Sequence, residues 1–361
     1  MSGRISSYSG TMQMDSLIQT MTGKLNKLVN EAASGQVANP AGAMGTSAAL
    51  LYQLHTQSDQ QTGLQTSIGL VATRLDTAQT VMSSIGSLAQ TVSTAALQTQ
   101  SVGTGTLGAP AASTLAQQAQ SAMQQILGQM NTTYAGSALF AGDSTQPPMQ
   151  TANAAGGPTA TMNAVLSAAV TAKGGPLSSS DISNLVNGTN GISSVFDNTN
   201  SVAGQNYNGA FYTASPNAQP TNVLIGTNQT VQYNLQGNQP AFRDLLKGLS
   251  MLSMVGAPSS QLHDSARSEL VAQGLQVLTN AQTELTQLQG SVGNTQAQMQ
   301  NAISLQRSAA ATTQQQIAGY EQANVAADAT DISTLQTQLQ ASYNLTAQIS
   351  QLSLTHYMPP P

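Results

Sequence analysis

Two stretches of this chain repeat apolar residues in steps of four and three, and the whole middle of the sequence separates them. The first carries Leu64, Ile68, Val71, Leu75, Ala78, Met82, Ile85, Ala89, Val92 and Ala96. The second carries Val271, Leu275, Leu278, Leu285, Val292, Met299 and Ile303 on one frame of the same kind. A seam kept over several heptads predicts a long helix that needs a partner helix. Pairing the two seams within one chain predicts an antiparallel coiled coil: the chain runs out, builds something else, and returns.

The flanking segments follow the same logic. Residues 8–33 predict an amphipathic helix with Met14, Ile18, Met21, Leu25, Leu28 and Ala32 on one face. Ser34-Gly35 and Asn39-Pro40 then stop it, since Gly and Pro are the common terminators. A second helix is expected over 46–100, which at 1.5 Å per residue is about 80 Å long. A capping-box pair, Thr114 and Gln117, predicts the start of a third helix that ends near Tyr134. Long helix resumes over 261–320. A last helix over 329–354 carries Ile332, Leu335, Leu339, Tyr343, Ile349 and Leu352.

Between 137 and 240 the helical period disappears and Gly, Pro, Asn and Thr dominate. Val231, Tyr233 and Leu235 alternate with polar residues, a half-buried strand pattern, and the run 222–226 precedes them across a plausible turn. Pro240 suits the first turn of a short helix whose apolar face is Phe242, Leu245, Leu249 and Leu252. The expected fold is therefore mainly α: long antiparallel coiled-coil helices from both termini, with a β-rich inserted domain. Its organisation is an N-terminal assembly helix (1–45), an axial helical half (46–136), a β-rich outer domain (137–240), a second axial half (241–320) and a C-terminal assembly helix (321–361).

Composition adds one fact to this. Charged residues are 6% of the chain, against roughly 25% in ordinary soluble domains. Gln, Ser, Thr, Ala and Asn take their place, so the surface is polar but nearly uncharged. Low net charge does little to keep copies apart, and we read this surface as one to be buried against copies of itself. A net charge of −5 and basic residues without a patch argue against nucleic acid. Zero cysteine rules out disulfides, and 4% aromatics argue against a large globular core. The N-terminal residues lack the apolar run of a secretory signal. No stretch is apolar for long enough to span a membrane.

No constellation points to catalysis, a metal or a cofactor. His55, His263 and His356 fall in three different regions, and Asp143, Asp181, Asp197, Asp328 and Asp331 are scattered. The glycine-rich stretch 103–108 resembles a dinucleotide loop but follows a helix rather than a strand, so it lacks the required context.

Several motifs resemble the flagellin superfamily. They are Arg4-Ile-Ser-Ser before an amphipathic helix, and Ala33-Ser-Gly35 followed by Asn39-Pro40-Ala41. The basic pair and the paired aspartates usual in that segment are missing here. Leu139-Phe-Ala-Gly-Asp-Ser-Thr-Gln-Pro-Pro-Met149 and Ile349-Ser-Gln-Leu-Ser-Leu-Thr-His-Tyr357 are similar to the hook–filament junction branch of the family, whereas Gln239-Pro-Ala-Phe-Arg-Asp-Leu-Leu-Lys-Gly-Leu249 resembles both that branch and some short flagellins.

The resemblance implies an axial helical core, an outward domain, and terminal helices that order on assembly. It also implies export through the flagellar type III apparatus without a cleaved signal to an extracellular place on the flagellum, with a chaperone as a further candidate partner. Its implied partners are copies of itself and the neighbouring axial proteins, hook-associated protein 1 and flagellin. The expected function is a structural subunit at the hook–filament junction. The alternatives are a filament flagellin or, more distantly, a coiled-coil adhesin or phage-tail fibre. The expected assembly interface is Met14, Ile18, Met21, Leu25, Leu28, Ile332, Leu335, Leu339, Ile349 and Leu352, on helices expected to lack partners inside the chain. The expected intrachain seam is Leu64, Ile68, Val71, Leu75, Met82, Ile85, Val271, Leu275, Leu278, Leu285, Val292 and Met299.

Overall fold

A computed structural model describes residues 2–45, 48–101, 107–142, 144 and 146–355, with the side chains of 2–11, 43–44, 101 and 350–355 outside the description. In chain order the elements begin with α1 (Ser2–Ser34), α2 (Pro40–Met44), α3 (Ala48–Ser101) and α4 (Ala109–Met130). Two short strands follow, β1 (Thr133–Tyr134) and β2 (Ser137–Ala138). Next come α5 (Pro158–Lys173), α6 (Ser179–Asn187), α7 (Ile192–Phe196) and α8 (Tyr207–Ala210), then β3 (Thr221–Leu224) and β4 (Thr230–Tyr233). The chain closes with α9 (Pro240–Met254), α10 (Asp264–Glu321) and α11 (Val325–Thr355). It divides into two compact units, residues 1–63 with 307–361, and residues 64–306.

In the second unit α3 and α10 run antiparallel. Gln79 Nε2 donates to the Gln289 carbonyl (2.7 Å) and Gln282 Nε2 to Ser93 Oγ (3.1 Å), so rising numbers on one helix meet falling numbers on the other. Ile68, Leu75, Met82, Ile85, Val271, Leu278, Leu285, Val292 and Met299 are buried, while Leu64, Val71 and Leu275 are half-buried. The pair is one part of a larger packing. α4 packs on α9, and Gln129 Nε2 of α4 donates to Ser84 Oγ of α3 (2.9 Å). Glycine lets α9 approach α10 closely, because a Cβ on Gly248 would stand 3.0 Å from the Leu278 nitrogen.

The third helix starts earlier than its capping-box signal predicts. α4 begins at Ala109 with Pro110 in its first turn, where a proline's missing N–H costs nothing. Thr114 lies inside the helix and donates its hydroxyl to the Pro110 carbonyl (3.2 Å).

The strand content of 137–240 is small. β3 and β4 form the expected hairpin, with Val223 opposite Val231, and β2 pairs with β1. Helices α5–α8 account for much of the remainder. α5 buries Met162, Val165 and Leu166, a helical spacing concealed in the sequence by the Gly and Pro around it. Six aromatics lie here, Phe140, Phe196, Tyr207, Phe211, Tyr212 and Tyr233, and all are buried. All four phenylalanines, Phe140, Phe196, Phe211 and Phe242, are fully buried. Phe196 lies 4.9 Å from Phe211, and Phe140 lies edge-on to Phe242 at 5.3 Å. Low aromatic content thus does not preclude a globular core, because aliphatic side chains such as Leu166, Leu185 and Val195 supply much of it.

Candidate assembly surface

The first unit is built on α1 and α11, which pack along each other. The expectation that these helices lack partners inside the chain is corrected. Leu28, Leu335 and Leu339 are buried, and Met14, Ile18, Met21, Leu25, Ile332 and Ile349 are half-buried. The side chain of Leu352 lies outside the described residues. The 3.6-residue period marks which face of each helix is apolar but carries no information about what covers it.

The corner where α1 ends and α11 begins is tied by backbone. Gly35 ends α1 with φ +70°, a conformation that glycine adopts without penalty. Val37 N–H donates to the Glu321 carbonyl (2.8 Å) and Ala323 N–H to the Gly35 carbonyl (3.0 Å). Glu31 is a buried carboxylate; it accepts from the Ala38 N–H (2.8 Å), with Lys27 Nζ at 3.7 Å. His55 Nε2 donates to Glu321 Oε1 (2.8 Å). Asn39 Oδ1 caps α2 by accepting from the Gly42 N–H (2.9 Å). The Ser-Gly…Asn-Pro motif therefore has a physical role, which is to turn the chain out of α1 and into α2.

That intrachain packing leaves a second apolar set uncovered. Fourteen large hydrophobics are exposed among the described residues, and nine of them belong to the first unit, which is less than half of the chain. They include Met12 (59% exposed), Leu17 (50%), Tyr52 (62%) and Tyr343 (56%). Single exposed apolar side chains are ordinary on a protein surface; nine of fourteen in less than half of the chain is a local excess.

Chemistry elsewhere resolves into structural roles. A half-open cleft of about 470 Å³ between α5 and α6 has an apolar floor of Val165, Leu177 and Leu185. On its rim, Asp181 bonds to Lys173 and to Ser178 in a capping box. The hydrogen bond from Lys173, then those from Ser178, hold the Asp181 carboxyl well below the usual range, so these groups are engaged with each other. Arg267, one of the scattered basic residues of the sequence, is fully buried; it pairs with Asp264 and donates to the Ala257 carbonyl (2.8 Å). No group of three or more metal-ligating side chains occurs among the described residues. The His55 imidazole pairs with Glu321 and His263 is exposed in a different region, while His356 and Asp143 lie outside the described residues. No described helix is long and apolar enough to cross a membrane.

The N-terminal part of the chain, residues 5–145, matches the family model of the bacterial flagellin N-terminal helical region. Residues 275–358 match that of the bacterial flagellin C-terminal helical region. No curated protein matches the sequence. Among solved structures, a flagellar hook-associated protein from Vibrio parahaemolyticus is similar in fold at 11% identity, with a TM-score of 0.52 over 76% of this chain and 97% of that one. The flagellin family is structural rather than enzymatic. The two family matches together take in most of the chain, both of its helical ends included, and the chain therefore belongs to the flagellin superfamily as a structural subunit of the bacterial flagellum.

Proposed function

We propose that this chain is a subunit of the hook–filament junction, and that it assembles with copies of itself and with adjoining axial proteins through the first unit. The observation that carries the reading is the apolar set left exposed on that unit after α1 and α11 have packed on each other. Covering such side chains supplies about 25 cal/mol per Å² of apolar area. The near absence of charge means that few ions must be desolvated in the process. Polar Gln, Ser and Thr faces also allow many near-equivalent contacts, which suits a joint under changing curvature.

The junction is favoured over the filament by the sequence runs at 139–149 and 349–357 and by likeness in fold to a hook-associated protein. Extracellular placement follows from the flagellum itself; export through the type III apparatus with a chaperone completes the proposal.

Immunogold labelling of intact flagella tests the location. Label confined to a single band between hook and filament is the expected result. Label along the whole filament would instead assign the chain as a flagellin, and absence from the flagellum would overturn both. In cells carrying only a Tyr343→Asp, Leu345→Asp double variant, hooks should lack attached filaments and flagellin should appear in the medium. Both side chains are exposed (56% and 48%), so the fold of the chain should survive the change.

A further inference from the structure

The seam of the first unit is short, and a polar layer interrupts it. Leu51, Leu54 and Ile317 form a buried cluster separate from the main core. One heptad along α3 from Leu54 lies Gln61, and one heptad back along α10 from Ile317 lies Ala310. In an antiparallel pair whose Leu54 meets Ile317, those two positions share the next layer, together with Thr313. All three are buried, at 7%, 8% and 4% exposure. The Gln61 Oε1 atom has no hydrogen-bond partner. The Thr313 hydroxyl does not serve it, because it donates to the Ala309 carbonyl (3.0 Å). An amide oxygen buried without a partner destabilises the state that buries it, and Ala310 offers little apolar surface in return.

We propose that the Gln61 layer breaks the cooperativity of the long helix pair. Residues 48–61 and 310–321 open together as one local unit, while 68–96 and 271–302 stay closed. Sub-global opening of this kind follows sparse apolar contact, and the sparse stretch here is bounded by a polar layer. The opening releases the corner held by the His55–Glu321 and Val37–Glu321 bonds, and so sets α1 and α11 free to rearrange without unfolding the second unit. This inference does not depend on where in the flagellum the chain sits.

Native-state hydrogen exchange on the full chain, read by mass spectrometry, is the test. In the natural protein, 48–61 and 310–321 should exchange at matching rates, faster than 68–96 and 271–302. Gln61→Leu should slow both stretches by about tenfold or more, the scale of relieving one buried unpaired atom, and leave the other two unchanged. Gln61→Met, closer in shape, should do the same. Gln57→Leu, at an exposed position on the same helix, should change neither. Uniform protection through 48–96 in the natural protein, or no slowing in either Gln61 variant, overturns the proposal.

Discussion

Leu75 and Leu70 lie on one helix, five residues apart, and the structure gives them opposite surroundings. Leu75 is 0% exposed in the α3 seam, whereas Leu70 is 54% exposed. Truncating each to Ala removes the same atoms and keeps a good helix former, so any difference between the variants reports packing alone. For Leu75→Ala, the lost transfer energy and the cavity left behind together cost about 3 kcal/mol. The second unit spans residues 64–306, a size at which 1 kcal/mol shifts Tm by roughly 2–4 °C. The expected fall is therefore about 6–12 °C. Leu70→Ala, at the surface, should stay within about 0.5 kcal/mol, or roughly 1–2 °C. Thermal melts followed by near-ultraviolet circular dichroism are the assay, since Tyr207 and Tyr212 are buried inside this unit. Equal shifts in the two variants would refute the assigned heptad frame, because that frame is the sole reason to expect a difference.

Two further outcomes follow from buried polar groups. Burial, then the nearby Asp244 carboxylate, raises the Glu284 carboxyl above its usual range, against a smaller opposing effect of Arg243. A raised folded-state value contributes stability that is present at acid pH and lost as pH rises through that value. Glu284→Gln should therefore melt above the natural protein at pH 7, and the gap should narrow toward pH 4; a gap that stays constant over this range would show that the charge of Glu284 is not responsible. The Tyr207 hydroxyl donates to the Gly237 carbonyl at 2.5 Å in a fully buried site, so Tyr207→Phe should cost about 1–3 kcal/mol by leaving that carbonyl unpaired, measured by urea unfolding. An unchanged midpoint would mean that the carbonyl finds another donor.

The long helices were legible because a seam is a local repeat. Leu75, Met82 and Leu278 advertise their helix and its buried face through spacing alone, and the Val223–Val231 hairpin does so through alternation and a turn. The family motifs were legible for a related reason: Gly35 and Asn39 hold a turn whose backbone geometry restricts the residues that fit. The sequence therefore determined that the long end segments are helical and which face of each is apolar.

Only the tertiary structure decided what covers those faces. The apolar stripes of α1 and α11 look the same whether their partner lies in the same chain or in a neighbouring copy, because a helical period depends on neighbours along the chain. The structure places the two stripes against each other and leaves a different set, Met12, Leu17, Tyr52 and Tyr343 among it, exposed. The helices of the 137–240 segment were hidden in the same way. α5 is short, and short helices are marginal in water without tertiary support, so its stability comes from burying Val165 and Leu166. The clustering of Phe196, Tyr207, Phe211 and Tyr212 and the burial of Arg267 likewise depend on contacts between elements. They become visible when those elements are packed, because burial and hydrogen bonding are properties of the folded chain and not of the order of its residues.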